Sequence, residues 1–182
     1  FNEQEIEIIA YFIKRFENNF ESYSLLRKSI IHNDINDNNV LVSSELINPR
    51  VTAFIDYGDA MHTQIINDVA IACSYAIMRK KDPLDATLPI VKGYHSTFPL
   101  QEKELEHLFD AIAMRLVIIV TRAAMNKIEE PNNAYLWISE KPAWEVLKKW
   151  HQLSPDFAHY SFRVACGLPA HPDTEKFNKW AS

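Results

Sequence analysis

A chain of 182 residues that is 47% hydrophobic can bury a substantial core, and its length is ordinary for one domain. A formal charge of -5 and a pI near 5.8, with no basic block anywhere, argue against a phosphate-backbone partner and so against nucleic acid. Apolar runs such as residues 116–120, which follows Arg115 and is soon closed by Arg122, are far shorter than the roughly 20 residues that span a bilayer, so no membrane segment is expected.

The opening Phe1-Asn2-Glu3-Gln4-Glu5 has no signal-peptide character, and a first residue other than Met reads as an excised or processed piece. Ile6, Ile9, Ala10, Ile13, Phe16 and Phe20 recur at spacings of three and four, which predicts an amphipathic helix over about 3–20 with that face buried. Short runs rich in Ile and Val at 29–32, 39–42 and 51–55 predict strands, with 43–50 connecting the last two. From about residue 67 the pattern is helical. Asn67-Asp68 can cap one helix and Asp82-Pro83 opens another, with cap and proline in the preferred order. A long helix is expected over 101–128, and two more over 141–152 and 154–166, the last ended by Gly167 in a left-handed cap. The stretch after Pro169, residues 169–182, reads as a tail or linker, leaving 1–168 as the domain. Cys73 and Cys166 lie far apart in apolar segments and read as two buried thiols rather than a disulfide, which suits a reducing, cytoplasmic setting. The fold class expected is therefore α+β and mostly α-helical, with a few short strands carrying loops.

Two of those loops carry chemistry. His32-Asn33-Asp34 is followed at residue 39 by an asparagine, between two short strands, and the next strand ends in Ile55-Asp56-Tyr57-Gly58-Asp59. Asp34 can orient or deprotonate an attacking hydroxyl. Asn39, through its amide oxygen, and Asp56, through its carboxylate, can hold magnesium, which takes hard oxygen ligands together with phosphate oxygens. Gly58 is expected to let the backbone turn sharply behind Asp56, and His32 to brace the loop through backbone hydrogen bonds. Asn36-Asp37-Asn38-Asn39 is also a composition that plain turns favour. The specific signal is the conjunction: a loop aspartate, the five-residue spacing, a β run, a short connection, then a β run ending in Asp-aromatic-Gly.

At these residues the chain resembles the aminoglycoside phosphotransferase and choline kinase branch of the protein-kinase-like superfamily. That family usually shows His-Gly-Asp, four residues and Asn, then Ile-Asp-aromatic-Gly-Asp, and Asn33 stands here in place of the usual glycine. Asp68 in Asp68-Val69-Ala70 matches the family's structural Asp-Leu-Ala element, whose carboxylate starts a helix under the catalytic loop. The nearest look is to hydroxylysine-kinase-like proteins, through Ala113-Met114-Arg115-Leu116, 130–136 and Ala165-Cys166-Gly167-Leu168. The resemblance implies the C-terminal lobe of a small-molecule kinase: Mg2+, ATP or GTP as donor, and a hydroxyl of an amino-alcohol, amino-acid or aminoglycoside as acceptor. Some relatives of this type are fused to a class III aminotransferase, so a downstream enzyme domain is a further expectation.

The chain has only three glycines, so no glycine-rich phosphate loop can be written in it. No lysine lies within the expected β run at 29–32 ahead of the catalytic loop either. In the family both belong to an N-terminal lobe that would precede Phe1, so the chain alone is expected to be inactive. Arg115 and Arg122, seven apart on the long helix, either face a substrate carboxylate or pair with glutamates elsewhere; Arg115 has the better case because it interrupts an apolar face. Asp59 either sits near the metal, reads a substrate amine or lies at the surface. Tyr135, Trp137, Trp144 and Trp150 read as core rather than as an aromatic cage, and the remaining histidines as ordinary packing or surface residues. The rival readings are a non-catalytic, pseudokinase-like module that binds a small molecule or partner, and a magnesium-dependent hydrolase, the weakest for want of a nucleophile.

Overall fold

The computed structural model describes residues 1–181. Helix α1, Glu3–Ser24, starts at a reciprocal cap in which Asn2 accepts from the Glu5 N–H and the Glu5 carboxylate accepts from the Asn2 N–H. Four short strands follow: β1 (Lys28–Ile31), β2 (Val40–Val42), β3 (Val51–Phe54) and β4 (Met61–Gln64). They form two separate antiparallel pairs, β1 with β4 and β2 with β3. The rest is helical: α2 (Ile66–Ala76), α3 (Pro83–Thr97), α4 (Glu102–Glu129), α5 (Glu140–His151), α6 (Pro155–Ala165) and α7 (Thr174–Ala181). The α+β, mostly helical class is as expected.

The core is built around α4, whose Leu105, Leu108, Ile112, Leu116 and Val120 are fully buried. Helices α2, α5, α6 and α1 pack on it. Trp150 stacks on Phe109 at 5.3 Å and gives its indole N–H to the Phe109 carbonyl, while the Ser74 hydroxyl donates to the carbonyls of Ala70 and Ile112, tying α2 to α4. Asp82 caps α3 at the Asp85 N–H, with Pro83 in the first turn. Gly167, at φ 76, closes α6: its N–H reaches the Val164 carbonyl and the Leu168 N–H reaches Arg163, the paired bonds of a left-handed helix end.

The structure refines the sequence reading in several places. The buried face of α1 is Ile8, Phe12 and Tyr23, whereas Ile6, Ala10, Ile13 and Phe20 are exposed and Ile9 and Phe16 only partly covered. The helix is turned by polar contacts on α4: Arg15 grips the buried Asp110 with both Nε (2.8 Å) and a terminal nitrogen, and Asn19 donates to the same carboxylate. Strand β4 was not anticipated, and α2 begins at Ile66, so Asp68 lies in its first turn rather than at its cap. Residues 174–181 of the expected tail form α7. Trp144 and Trp150 are core residues, but Tyr135 and Trp137 line a cavity instead. Cys73 is buried and Cys166 half-buried, both as free thiols, and burial raises the pKa of each, that of Cys166 to about 11.

Candidate active site

The loop between β1 and β2 is pinned from three sides. His32 gives Nε2–H to the Ile55 carbonyl at 2.8 Å and accepts the Asp34 N–H at Nδ1, so both ring nitrogens serve the backbone and the neutral tautomer is fixed. The Asp68 carboxylate, in the first turn of α2, accepts the Asn33 N–H at 3.0 Å. Asn33 has φ 65, the left-handed region where glycine is at ease and asparagine is among the best tolerated side chains, which accounts for the residue type at this position. Its amide also donates to the Asp59 carbonyl, stitching the loop to the segment after β3.

Asp34 is held by side chains from two distant parts of the chain. Asn39 donates to its Oδ2 at 3.0 Å and to its carbonyl at 2.9 Å, and Asn36 donates to Oδ2 at 2.9 Å. Arg115, from the middle of α4, donates to Oδ1 at 2.7 Å and to the Tyr75 hydroxyl at 3.1 Å, with its guanidinium 5.4 Å from the centre of the Tyr75 ring. The sequence suggested Arg115 for a substrate carboxylate; the structure pairs it with Asp34. A carboxylate offers about four lone-pair directions, and these three donors leave about one free. Burial raises the pKa of Asp34 above the ordinary aspartate value, Arg115 pulls it down, and the nearby charge of Asp59 pushes it up again.

Asp56 follows β3, whose end is bound to the first loop because the Ile55 N–H donates to the Asn39 carbonyl at 3.0 Å. That bond extends the β2–β3 pairing and leaves Asp56 one residue beyond the residue bonded to Asn39. The sharp turn expected at Gly58 is made at Asp56 itself, which has φ 63. Gly58 instead supplies room, since a Cβ there would stand 3.3 Å from Asp56 Oδ1. The Asp56 carboxylate makes no capping hydrogen bond with the 3-10 turn at Tyr57–Asp59 and is exposed. With both Asn39 amide protons directed at Asp34, its amide oxygen is left as a free acceptor, a hard oxygen like those of the Asp56 carboxylate.

Beside this cluster opens a cavity of about 310 Å3 walled by Asn36 and Asp37 of the loop between β1 and β2, by Tyr75, Arg115 and Arg122, and by the 3-10 turn at Ala134–Trp137. Asp34 is not in the wall itself, but two of its donors, Asn36 and Arg115, are. The turn is fixed by Asn126 of α4, which donates to the Leu136 carbonyl, and Glu140 at the start of α5 lines the far side, paired with Lys127. A larger groove of about 710 Å3 between α3 and α6 is mainly apolar and shares no residue with this cluster. Asn36, Asp37 and Tyr75 were not singled out in the sequence; the one local clue was an asparagine two residues after Asp34, the spacing at which Asx side chains bond back to nearby groups.

The sequence profile of a phosphotransferase enzyme family matches residues 3–114. Hydroxylysine kinase of Danio rerio is 30% identical over 134 residues, covering 72% of this chain and 38% of that protein. Hydroxylysine kinases of Xenopus laevis and Mus musculus are each 29% identical, over 139 and 151 residues, covering 71% and 79% of this chain and 37% and 40% of theirs. The chain thus spans about two fifths of the length of these relatives, and no solved structure matches it. With more than half of its residues matched by the profile and with these relatives at about 30% identity, the chain belongs to the phosphotransferase enzyme family.

Proposed function

We propose that this chain is the acceptor-binding, base-bearing part of a small-molecule kinase that moves the γ-phosphoryl group of ATP or GTP to a hydroxyl of an amine-bearing acceptor. A hydroxylated amino acid is the best-supported acceptor, because the similar full-length proteins are hydroxylysine kinases. The observation that carries the reading is Asp34, with three of its lone-pair directions occupied by Asn36, Asn39 and Arg115 and about one left open beside a cavity of substrate size.

The free lone pair of Asp34 accepts the proton of the incoming hydroxyl and aims its oxygen at the phosphorus. Arg115 and the two asparagines fix the carboxylate, so no reorganisation is needed when the acceptor arrives. Asn39 and Asp56 would hold magnesium, which when bound neutralises charge on the donor's phosphates. The phosphate grip would come from a preceding nucleotide-binding lobe, so the 182-residue chain alone should show no measurable transfer. A cytoplasmic setting fits the two free thiols. The Arg115–Asp34 ion pair also suits the rival reading, a pseudokinase-like binding module in which the carboxylate serves only structure.

The test is made on the longer parent protein with magnesium, either nucleotide and hydroxylysine. Asp34→Asn, isosteric and still able to accept from Arg115, should cut turnover by about 100-fold or more while leaving the circular dichroism spectrum unchanged. Turnover that survives this substitution would remove Asp34 from its role and leave the binding-module reading standing.

A further inference from the structure

Of the two arginines in the cavity wall, Arg122 is the one left without a partner among the described residues. Arg115 is committed to Asp34 and Tyr75, and Glu140 to Lys127. Arg122 is exposed and has no hydrogen bond, ion pair or ring partner among the described residues, yet it lines the same cavity. It lies two turns of α4 beyond Arg115, about 10 Å along the helix axis. Both side chains project on one face, and side chains on a helix lean towards its N-terminus, which here means back towards the cluster around Asp34. A second observation points to an incomplete donor set: Nε of Arg115 is buried without a partner.

We infer that Arg122 receives the carboxylate of an amino-acid acceptor whose hydroxyl lies at Asp34, which makes the cavity a ruler selecting acceptors with carboxylate and hydroxyl several carbons apart. A planar guanidinium presents paired N–H groups to a carboxylate, and an unpaired one loses no internal bond when the ligand arrives. A hydroxyl next to the carboxylate fits the two-turn separation poorly; one near the far end of a lysine-like side chain fits it. Asp37, three residues beyond Asp34 in the same loop and also in the wall, would be the counter-charge for the second amine that such a side chain carries next to its hydroxyl. The rim would then read a zwitterionic ligand with one cationic and one anionic contact, and α4 sets the distance between them.

This rests on the kinase reading, so the experiment separates the two. The parent protein is assayed with hydroxylysine and with the diamino alcohol left by removing its carboxylate, as wild type, Arg122→Ala and Arg122→Lys. The wild type should prefer hydroxylysine. In Arg122→Ala that preference, taken as the ratio of the two kcat/KM values, should fall about 10- to 100-fold, mainly through KM, with partial recovery in Arg122→Lys. Unchanged preference in the alanine variant overturns the inference and leaves the kinase reading intact. If the wild type phosphorylates neither compound, the kinase reading fails. Calorimetric binding of hydroxylysine then decides the inference: affinity lost in Arg122→Ala supports it, and equal affinity in wild type and variant overturns it. Because Arg122 is exposed and unpaired, its replacement should leave the melting temperature nearly unchanged, so a folding defect will not blur the result.

Discussion

Asp34 sits between opposing influences, and their balance sets how the protein responds to pH. Burial and the charge of Asp59 favour the protonated acid; Arg115 and Asn39 favour the carboxylate, and the net direction is upward from the ordinary aspartate value of 3.8. Between that value and the raised one, the folded protein holds more protons than the unfolded chain. Stability contributed at this residue therefore falls as pH rises through the interval, and stays lower above it. Asp34→Asn removes the titration but keeps an oxygen for Arg115 to bond. The difference in unfolding free energy should thus move in favour of the variant as pH is raised from about 3 to about 7 in paired denaturant titrations. The opposite slope would mean that the attraction of Arg115 outweighs burial. With Asp34 as the proposed base, the same raised pKa should place the acidic limb of the parent protein's rate profile above that of a free aspartate, because only the carboxylate could take the acceptor's proton.

At the scale of elements, the loop groups proposed to carry the chemistry, Asp34, Asn39 and Asp56, adjoin the least buried parts of the fold. Each β pair has only two strands, and in β2 and β3 every residue is exposed or only partly covered, whereas α4 contributes a continuous buried face along its 28 residues. Amide hydrogen exchange should therefore be slowest at 105–120 and faster by about 100-fold or more at 40–54; protection at β2–β3 equal to that of α4 would show a second source of order there. The same contrast explains what could be read from sequence. Helices α3 and α6 were legible because their signals are local: Asp82-Pro83 and Ser154-Pro155 start them, and Gly167 ends the second. The spacing of Asp34 and Asn39 was legible for the same reason, since it is confined to one loop. Strand β4 was not, because Met61–Gln64 lacks alternation and becomes a strand only by pairing with Lys28–Ile31. The Arg115–Asp34 bond joins residues 81 positions apart, and no local pattern announces it.

For the whole molecule, the decisive feature is where apolar surface remains in water. Ile6, Ile9, Ile13, Phe16 and Phe20 form a better-spaced stripe than the one α1 buries, so hydrophobic pattern alone selects the wrong face. The buried side is chosen by Asp110, already inside α4, which needs Arg15 and Asn19 turned towards it because an unpaired buried carboxylate costs more than an exposed Ile or Phe. Leu41, Val42, Val51 and Phe54 are likewise exposed on the strands beside the candidate metal ligands. Single apolar residues at a surface are ordinary, but two such groups on one chain are association-prone surfaces. Adjacent residues on α1 give a clean test. Phe12 is 1% exposed, and Phe12→Ala should cost about 3–5 kcal/mol in the unfolding free energy. Ile13 is 38% exposed, and Ile13→Lys should stay within about 0.5 kcal/mol while raising the concentration at which the isolated chain remains monodisperse by light scattering. If Ile13→Lys proved as damaging as Phe12→Ala, α1 would be turned the other way in solution, and Asp110 would have to find its counter-charge elsewhere.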